Sequence, residues 1–392
     1  MTDQFPKVSL WLLALLTFSG TLAMHIFVPA LPSAATALHA SAGTVQMTIS
    51  LYILGLAFGQ LIYGPLSDRF GRRPVLMAGL ALYAGAGLVA ALAPNAHVLI
   101  AARLFQALGG CAGLVLGRAI VRDTAPPAEA ARRLALMNLA VTIGPGIAPL
   151  AGSLLTIMLG WRSILYFLAL FGVMNFVCAW RLLPETRQPV ISLPGSSISR
   201  RYLQLLRSKP FLGYAVGGGC ATTSMYAFVA AAPFIFAHQL RRPEHELGVY
   251  LAMLIAGIWL GSALASRLIG WVAINKLLIG SNLISVLAAF TLLTTTLFAY
   301  FSLPLTLVTM FLFTLGVGVA SPTALSQAIS VDPHAIGSAS GLYGFMQMVI
   351  GALCTMLAGL GDNPMLAASL VLSIAGVVAQ LSFWMARQQS NS

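Results

Sequence analysis

The sequence predicts an all-α membrane protein whose twelve transmembrane helices form two pseudo-symmetric bundles of six. Three observations predict this fold. Hydrophobic residues make up 59% of the 392 and charged residues only 8%, whereas a soluble domain is about half apolar and about a quarter charged. Apolar runs recur at the length that a helix needs to cross about 30 Å of hydrocarbon. One long polar connection separates these runs into two sets of six.

Charges and Pro/Gly breaks delimit the twelve candidate spans. The first six are 9–31, 44–64, 74–94, 97–118, 134–157 and 162–183. The second six are 210–236, 247–269, 275–299, 303–328, 336–360 and 365–386. The first run is long enough to span the bilayer and carries no sign of a cleavable signal peptide. We therefore expect bundles at 1–183 and 210–392, joined by a cytoplasmic linker at 184–209.

The basic residues predict the orientation. With the amino terminus inside, sixteen of the 21 lysines and arginines fall on the cytoplasmic side and three on the other, while Arg103 and Arg118 fall within spans. Such an excess marks the cytoplasmic face of a membrane protein. Both termini are therefore expected in the cytoplasm, and the net charge of +12 indicates orientation rather than nucleic-acid binding.

The stretch between the second and third spans is the most specific motif. It reads Gly-Pro-Leu-Ser-Asp-Arg-Phe-Gly-Arg-Arg-Pro over 64–74, and it resembles the loop between helices 2 and 3 of major facilitator superfamily (MFS) transporters. The resemblance implies a conformational gate in which Asp68 pairs with Arg72 and Gly64 lets the second span approach the eleventh. A purely topological role stays open. The gate residues are Gly64, Asp68, Arg69, Gly71, Arg72 and Arg73.

Two further stretches resemble the bicyclomycin/chloramphenicol (Bcr/CflA) drug-efflux branch of that family. They are 24–32, at the end of the first span, and 117–123, in the fourth. Arg103 resembles the helix-4 arginine that the family links to proton transfer. Arg118 is either part of the same machinery or an interfacial residue whose charged end reaches the membrane surface.

The fifth span resembles a helix motif of the family's antiporters, which implies export. Prolines and glycines so close together predict a kink and a close helix contact. A packing kink without directional meaning is the alternative. The motif residues are Gly144, Pro145, Gly146, Pro149 and Gly152.

The first span departs from the branch at one position. His25 stands where these transporters usually carry a membrane-embedded aspartate, and all nine acidic residues are expected in loops or termini. Histidine titrates near pH 6.5 without help from its surroundings. We therefore hypothesise that His25, together with Arg103 and Arg118, couples transport to protons. The alternative is a neutral hydrogen-bonding histidine, with coupling lost or placed elsewhere.

Aromatic, Met and amide side chains on several spans are candidates for lining a central cavity. Such a lining suits bulky apolar or weakly charged ligands, although each residue also fits ordinary packing. The candidates are Tyr52, Gln60, Asn138, Tyr226, Phe228, Phe345, Met346 and Gln347.

Motif inventory argues against an enzyme. The sequence has no P-loop, no His-Glu-x-x-His and no Gly-x-Ser-x-Gly, and its four cysteines lie in apolar runs without metal-site spacing. No cofactor or metal is expected. The prediction is a monomeric, multi-pass protein of the bacterial inner membrane that exports small amphipathic drugs or metabolites in exchange for protons, with the lipid bilayer and no nucleic acid as partner. The alternative is an uncoupled facilitator or an uptake permease.

Overall fold

The structure is a computed structural model that describes residues 8–186, 198–269, 271–300, 302–331 and 336–390. The chain divides into two compact units, Met1–Ser192 and Leu193–Ser392. Regular structure in the described residues is helical, apart from one isolated bridge between Ile269 and Val272. The expectation of an all-α fold is confirmed.

The described residues of unit 1 form seven α-helices and one 3-10 turn. In chain order they are α1 (Leu10–Ile26), the 3-10 turn (Val28–Ala30), α2 (Leu31–Ala37), α3 (Ala42–Phe70), α4 (Arg72–Ala91), α5 (Ala96–Thr124), α6 (Pro127–Leu159) and α7 (Arg162–Leu182).

In the part of unit 2 that the structure describes, the chain forms eight further helices and a π turn. They are α8 (Ile198–Arg207), α9 (Lys209–Thr223), α10 (Met225–Phe234), the π turn (Ile235–Gln239), α11 (Glu244–Leu268), α12 (Ile274–Leu297), α13 (Leu303–Ser330), α14 (Ile336–Ala358) and α15 (Pro364–Ser390).

Local sequence sets several of the helix ends. The side chains of Ser41 and Asn95 accept hydrogen bonds from the amides of Thr44 and Val98, at 3.2 and 3.0 Å. Each bond satisfies an amide in the first turn that has no partner within the helix. At the other end, Gly71 terminates α3 with φ of +99°, which a residue with a side chain adopts only with strain.

Eleven helices in the described part of the chain are long and apolar enough to cross a membrane. Each predicted span falls on a helix. The fifth falls on α6, of which Gly144–Leu159 is the apolar part that the structure describes. The fold is therefore that of a multi-pass membrane protein, while the count of twelve spans and the cytoplasmic location of the termini stay predictions.

The prediction of a loop at 64–74 is wrong. Residues 64–70 continue α3 and residues 72–74 begin α4, so Gly71 alone separates the two helices. Pro65 lies inside α3 and Pro74 in the first turn of α4, where a missing amide hydrogen is harmless. The charged motif is therefore a helix-to-helix junction, and its side chains have fixed helical directions.

The expectation that every acidic residue lies in a loop or terminus also needs correction. Five of the nine lie in terminal turns of helices, because those helices extend further than the hydropathy pattern indicates. These five are Asp68, Asp123, Glu129, Glu244 and Glu246. Among the described residues, the middle of each membrane-length helix still holds no carboxylate.

Candidate functional site

The first transmembrane helix is broken near its end. α1 ends at Ile26, and the chain continues through the 3-10 turn and α2. Pro29 and Pro32 explain the break, since neither has an amide hydrogen to donate to the carbonyl four residues earlier. The last carbonyls of α1 therefore need hydrogen-bond donors from elsewhere in the protein.

Arg103 of α5 supplies one of these donors. Its side chain is fully buried, and its Nη2 donates to the main-chain carbonyl of Ala23 at 2.7 Å. Its Nη1 donates to Oε1 of Gln106 at 2.7 Å. A positive group at this position also interacts favourably with the negative end of the α1 dipole. Arg103 thus caps the broken end of α1 from a neighbouring helix.

Two aromatic rings enclose the same guanidinium. Its central carbon lies 4.2 Å from the centroid of the Tyr52 ring and 5.1 Å from that of Phe27, within the range of cation–π attraction. The Tyr52 hydroxyl donates to the carbonyl of Gly20 at 2.8 Å, and the Tyr83 hydroxyl donates to that of Ser19 at 3.3 Å. Side chains from α3, α4 and α5 therefore all bind the main chain of α1.

The charge of Arg103 has no carboxylate counterpart in the described part of the structure. The four ion pairs found there lie at helix ends and do not include Arg103, and its Nε has no hydrogen-bond partner. A buried charge is costly unless polar groups compensate it. Here the compensation comes from the α1 carbonyl, Gln106 and the two rings.

His25 lies two residues after the carbonyl that Arg103 binds. It is buried, and its Nδ1 lies 2.9 Å from the carbonyl oxygen of Thr21. A carbonyl oxygen only accepts hydrogen bonds, so Nδ1 donates in this contact, which both the neutral Nδ1–H tautomer and the imidazolium can do. In the neutral tautomer, Nε2 is the ring nitrogen without a hydrogen.

Glycines let α5 and α6 pack directly against the main chain of α1. A Cβ atom on Gly152 would overlap the carbonyl oxygen of Ile26, and one on Gly144 would overlap the Phe18 ring. On the α5 side, a Cβ on Gly113 would overlap the carbonyl of Leu16. The predicted kink region of the fifth span, in which Gly146 and Pro149 are also buried and Pro145 is partly buried, is therefore a packing surface for α1.

The charged junction after α3 forms a compact network centred on Arg72. Its Nη1 bonds Asp68 at 2.5 Å and Ser67 at 2.6 Å, and its Nε donates to Asp123 of α5 at 2.8 Å. The expected Asp68–Arg72 pair is confirmed. The Asp123 bridge ties the junction to the end of α5.

Glu185, which follows α7, caps the first turn of α4. Its carboxylate accepts hydrogen bonds from the amides of Arg72 at 2.9 Å and Arg73 at 3.1 Å. The guanidinium of Arg73 donates to the carbonyl of Trp180 at 2.6 Å. Because a side chain on Gly71 would meet the Glu185 carboxylate, glycine is required there for contact as well as for φ.

The remaining gate and coupling candidates have different environments. The Arg69 guanidinium lies 5.1 Å from the centroid of the Phe70 ring. Gly64 faces open space, since a Cβ atom there would meet no described atom within 4 Å. Arg118 is exposed on α5, 15 positions after Arg103, so the helical rise puts it on the order of 20 Å away. The predicted approach of Gly64 to the eleventh span stays a prediction.

The cavity candidates divide by burial. Tyr52 and Phe228 are fully buried and pack within their own units, whereas Gln60, Tyr226, Phe345, Met346 and Gln347 are partly exposed. Gln347 of α14 donates to the Thr222 hydroxyl of α9 at 2.7 Å, and the Thr223 hydroxyl donates to the Gln347 carbonyl at 2.8 Å. The side chain of Asn138 lies outside the described residues. Substrate contact by any of these stays a prediction.

Sequence reasoning did not select Glu185, Asp123 or Tyr83 as site residues. For the two acids a signal was present. With only nine acidic residues in the chain, each one has a high chance of pairing with a nearby arginine. Tyr83 carried no signal, because its role depends on which carbonyl of α1 its hydroxyl reaches.

Comparison with known proteins identifies the family. The model of the Major Facilitator Superfamily matches residues 13–355. The chloramphenicol resistance protein of Pseudomonas aeruginosa is 31% identical over 349 residues, covering 87% of this chain and 81% of that protein. Multidrug resistance protein D of Escherichia coli (strain K12) is 29% identical over 377 residues, covering 95% and 94%. The crystal structure of a D-xylose-proton symporter has a TM-score of 0.78 at 16% identity and covers 96% of each chain.

The fold and the relatives together define a multi-pass transport protein of the inner membrane rather than an enzyme. The chain belongs to the Major Facilitator Superfamily. Its relatives include proteins named for chloramphenicol resistance and, as a homologue, for bicyclomycin resistance. The resemblance to the Bcr/CflA branch is thus confirmed.

Proposed function

We propose that this protein, acting as a monomer, exports small amphipathic drugs or metabolites across the inner membrane in exchange for protons, by alternating access. Export is supported by the relatives, which are named for chloramphenicol, bicyclomycin and multidrug resistance. The observation that carries the mechanism is the binding of Arg103 to the broken end of α1, two residues before His25.

His25 takes the part of the exchangeable proton carrier in this proposal. Protonation at Nε2 would place a second positive charge close to the Arg103 guanidinium. The two cations repel each other, and no carboxylate among the described residues lies within ion-pair distance of Arg103 to offset the repulsion. Protonation of His25 and release of the Ala23 carbonyl by Arg103 therefore favour one another.

α1 is the element through which this change would act. It is bound by Tyr52, Tyr83 and Arg103 and packed against glycines of α5 and α6. A change at Arg103 would therefore be transmitted to α1 through its main chain, while buried leucines such as Leu13 and Leu16 limit how far α1 can move. The junction around Arg72 then serves as the gate, since it holds the ends of α3, α4 and α5 in one arrangement.

Charge indicates the substrate class. The described membrane interior of unit 1 contains Arg103 and no acid, so a cationic ligand would find no opposite charge there. Neutral, zwitterionic or anionic amphipathic molecules fit this environment better. Arg118, exposed on the same helix, would favour the anionic ones.

The export test uses chloramphenicol as the first probe. Bacteria that lack their own drug pumps and express this chain should accumulate less of it, and grow at higher concentrations, than cells with the empty vector. A panel of neutral, anionic and cationic drugs extends the test to the predicted charge preference. Equal accumulation across the whole panel would refute export.

The coupling test uses purified protein in liposomes with a pH-sensitive dye inside. Addition of a transported drug should move protons in the wild type and in His25→Asp, which restores the residue usual in this branch, but not in His25→Ala. His97→Ala is the matched control, because His97 is exposed near the start of α5. Unchanged proton movement in His25→Ala would refute the role of His25.

An uncoupled facilitator or uptake permease is the second candidate. The lack of a carboxylate in the middle of the described spans favours it, since the branch that the first span resembles usually carries a membrane-embedded aspartate. This candidate is distinguished by transport that proceeds to equal concentrations on both sides and does not respond to a pH gradient.

A further inference from the structure

We propose that α8, the short helix between the two bundles, is a binding surface for anionic phospholipid headgroups. The linker at 184–209 was expected to be simply a polar connection. Residues 198–207 within it form a helix instead.

One side of α8 is anchored to unit 2. Leu205 is buried in a core cluster with Phe211, Tyr214 and Ala339, and Tyr202 packs against that cluster. Ser208 alone separates α8 from α9. The Ser208 amide donates a hydrogen bond to the carbonyl of Leu205 at 3.0 Å, so the junction between the two helices is itself hydrogen bonded. The helix is thus fixed to the beginning of a membrane span.

A second side of α8 exposes leucines. Leu203 is 48% exposed and Leu206 is 43% exposed, although both side chains are apolar. The two leucines lie one helical turn apart, beside the buried side of α8. At the end of a membrane span, the neighbouring medium is the boundary between headgroups and acyl chains. Exposed leucines are stable there and unfavourable in water.

The charge of this segment is of one sign. Residues 198–212 include four basic residues and no acidic one. Arg207, the last residue of α8, and Lys209, the first residue of α9, are both exposed. Basic clusters beside a membrane span attract anionic lipids. Apolar and basic residues on adjoining flanks are the pattern of a helix lying in the membrane interface.

A separate observation places the membrane surface at this end of unit 2. α9 and α10 cross from α8 to the opposite end, and α11 returns. The turn after α11 therefore lies at the same end as α8, and its Trp271 is 90% exposed. Tryptophan is enriched at the headgroup level of membrane proteins. The exposed leucines of α8 thus share an end of unit 2 with an interfacial aromatic residue.

The main test compares the full-length wild type with the variant Arg200→Gln/Arg207→Gln/Lys209→Gln. Native mass spectrometry counts phosphatidylglycerol and phosphatidylcholine molecules retained from an equimolar mixture in detergent. Loss of each surface charge should weaken anionic lipid binding roughly fivefold, so the triple variant should bind phosphatidylglycerol about a hundredfold more weakly. Binding of phosphatidylcholine should not change. High salt should reduce the wild-type preference.

The matched control is Arg122→Gln/Arg132→Gln/Arg181→Gln, which removes three exposed arginines of unit 1 and should keep the preference for phosphatidylglycerol. Equal retention by wild type and the α8 variant, or an equal loss in this control, would overturn the proposal.

Hydrogen exchange supplies a readout that does not depend on lipid counting. Amides of α8 should exchange more slowly in nanodiscs containing phosphatidylglycerol than in nanodiscs of phosphatidylcholine alone. In Leu203→Ser/Leu206→Ser, the α8 amides should exchange faster than in the wild type in both kinds of nanodisc. Protection of α8 that is the same in both lipids, and in detergent, would instead indicate that the helix is covered by protein and would refute the lipid surface.

Discussion

The guanidinium carbon of Arg103 lies 4.2 Å from the centroid of the Tyr52 ring, while the Tyr52 hydroxyl binds the main chain of α1. One side chain thus stabilises a buried charge and the helix that this charge caps. Tyr52→Phe keeps the ring but loses the hydrogen bond, so the free energy of unfolding should fall by about 1 kcal/mol. Tyr52→Leu should cost about 2 kcal/mol more, since cation–π attraction is stronger away from water.

Thermal unfolding of the detergent-solubilised protein measures both variants. Tm should fall in the order wild type, Tyr52→Phe, Tyr52→Leu. Equal Tm values for the two variants would show that the ring contributes nothing to holding Arg103.

The packing of α6 on α1 predicts a steric effect at Gly152. Gly152→Ala places a methyl group on the carbonyl oxygen of Ile26, so the two helices must separate. Overpacking of this kind costs about 1–3 kcal/mol, and Tm should fall. Transport should fall with it if the position of α1 matters for function.

Gly85→Ala is the control for that change. Gly85 lies in α4, and a methyl group added there would meet no described atom within 4 Å. Alanine favours a helix over glycine by about 0.5–1 kcal/mol, so the Tm of this variant should stay the same or rise. A fall as large as that of Gly152→Ala would contradict the steric explanation.

Glu185 should stabilise the start of α4. Glu185→Ala removes the acceptor for two amides and the charge next to the positive helix end, so we expect a loss of about 1–2 kcal/mol. Glu185→Gln keeps one acceptor oxygen and should lose less. Glu129→Gln breaks an i,i+4 pair with Arg133 at the start of α6, and should change stability by no more than about 0.5 kcal/mol.

Chemical or thermal unfolding in detergent separates these three variants. We expect Glu185→Ala to be less stable than Glu185→Gln, and Glu129→Gln to be nearly as stable as the wild type. If Glu185→Ala unfolds like Glu129→Gln, the carboxylate is not a functional cap.

The two acids that bind Arg72 should differ in how much they contribute to the stability of the folded protein. The Asp123 side chain is 19% exposed and that of Asp68 is 49% exposed, against 13% for Arg72. Water and salt therefore screen the Asp68–Arg72 ion pair more strongly than the Asp123–Arg72 pair. Asp123→Asn should therefore destabilise the protein more than Asp68→Asn, for which the loss should be below about 1 kcal/mol.

Unfolding at low and high salt tests this difference. The Asp68 contribution should shrink with added salt, and that of Asp123 should persist. Similar losses with similar salt dependence for both variants would show that burial does not distinguish the two pairs.

The charged motif at 64–74 shows what a local sequence pattern can and cannot predict. Its spacing predicted the Asp68–Arg72 pair, since residues four apart are neighbours in any helix. It did not predict that α3 and α4 extend into the motif and leave only Gly71 between them. Hydropathy marks where a chain is apolar, while charged turns of a helix continue beyond the apolar part.

Membrane location, the helical class of the fold, family membership and the unusual His25 all follow from the sequence alone, because each depends on composition or on residues close together in the chain. Tertiary structure decided the rest. Arg103 reaches the carbonyl of Ala23 across 80 positions, and Glu185 reaches the amide of Arg72 across 113. Such pairs form only when helices pack, and the direction of each side chain then depends on neighbours that no local pattern contains.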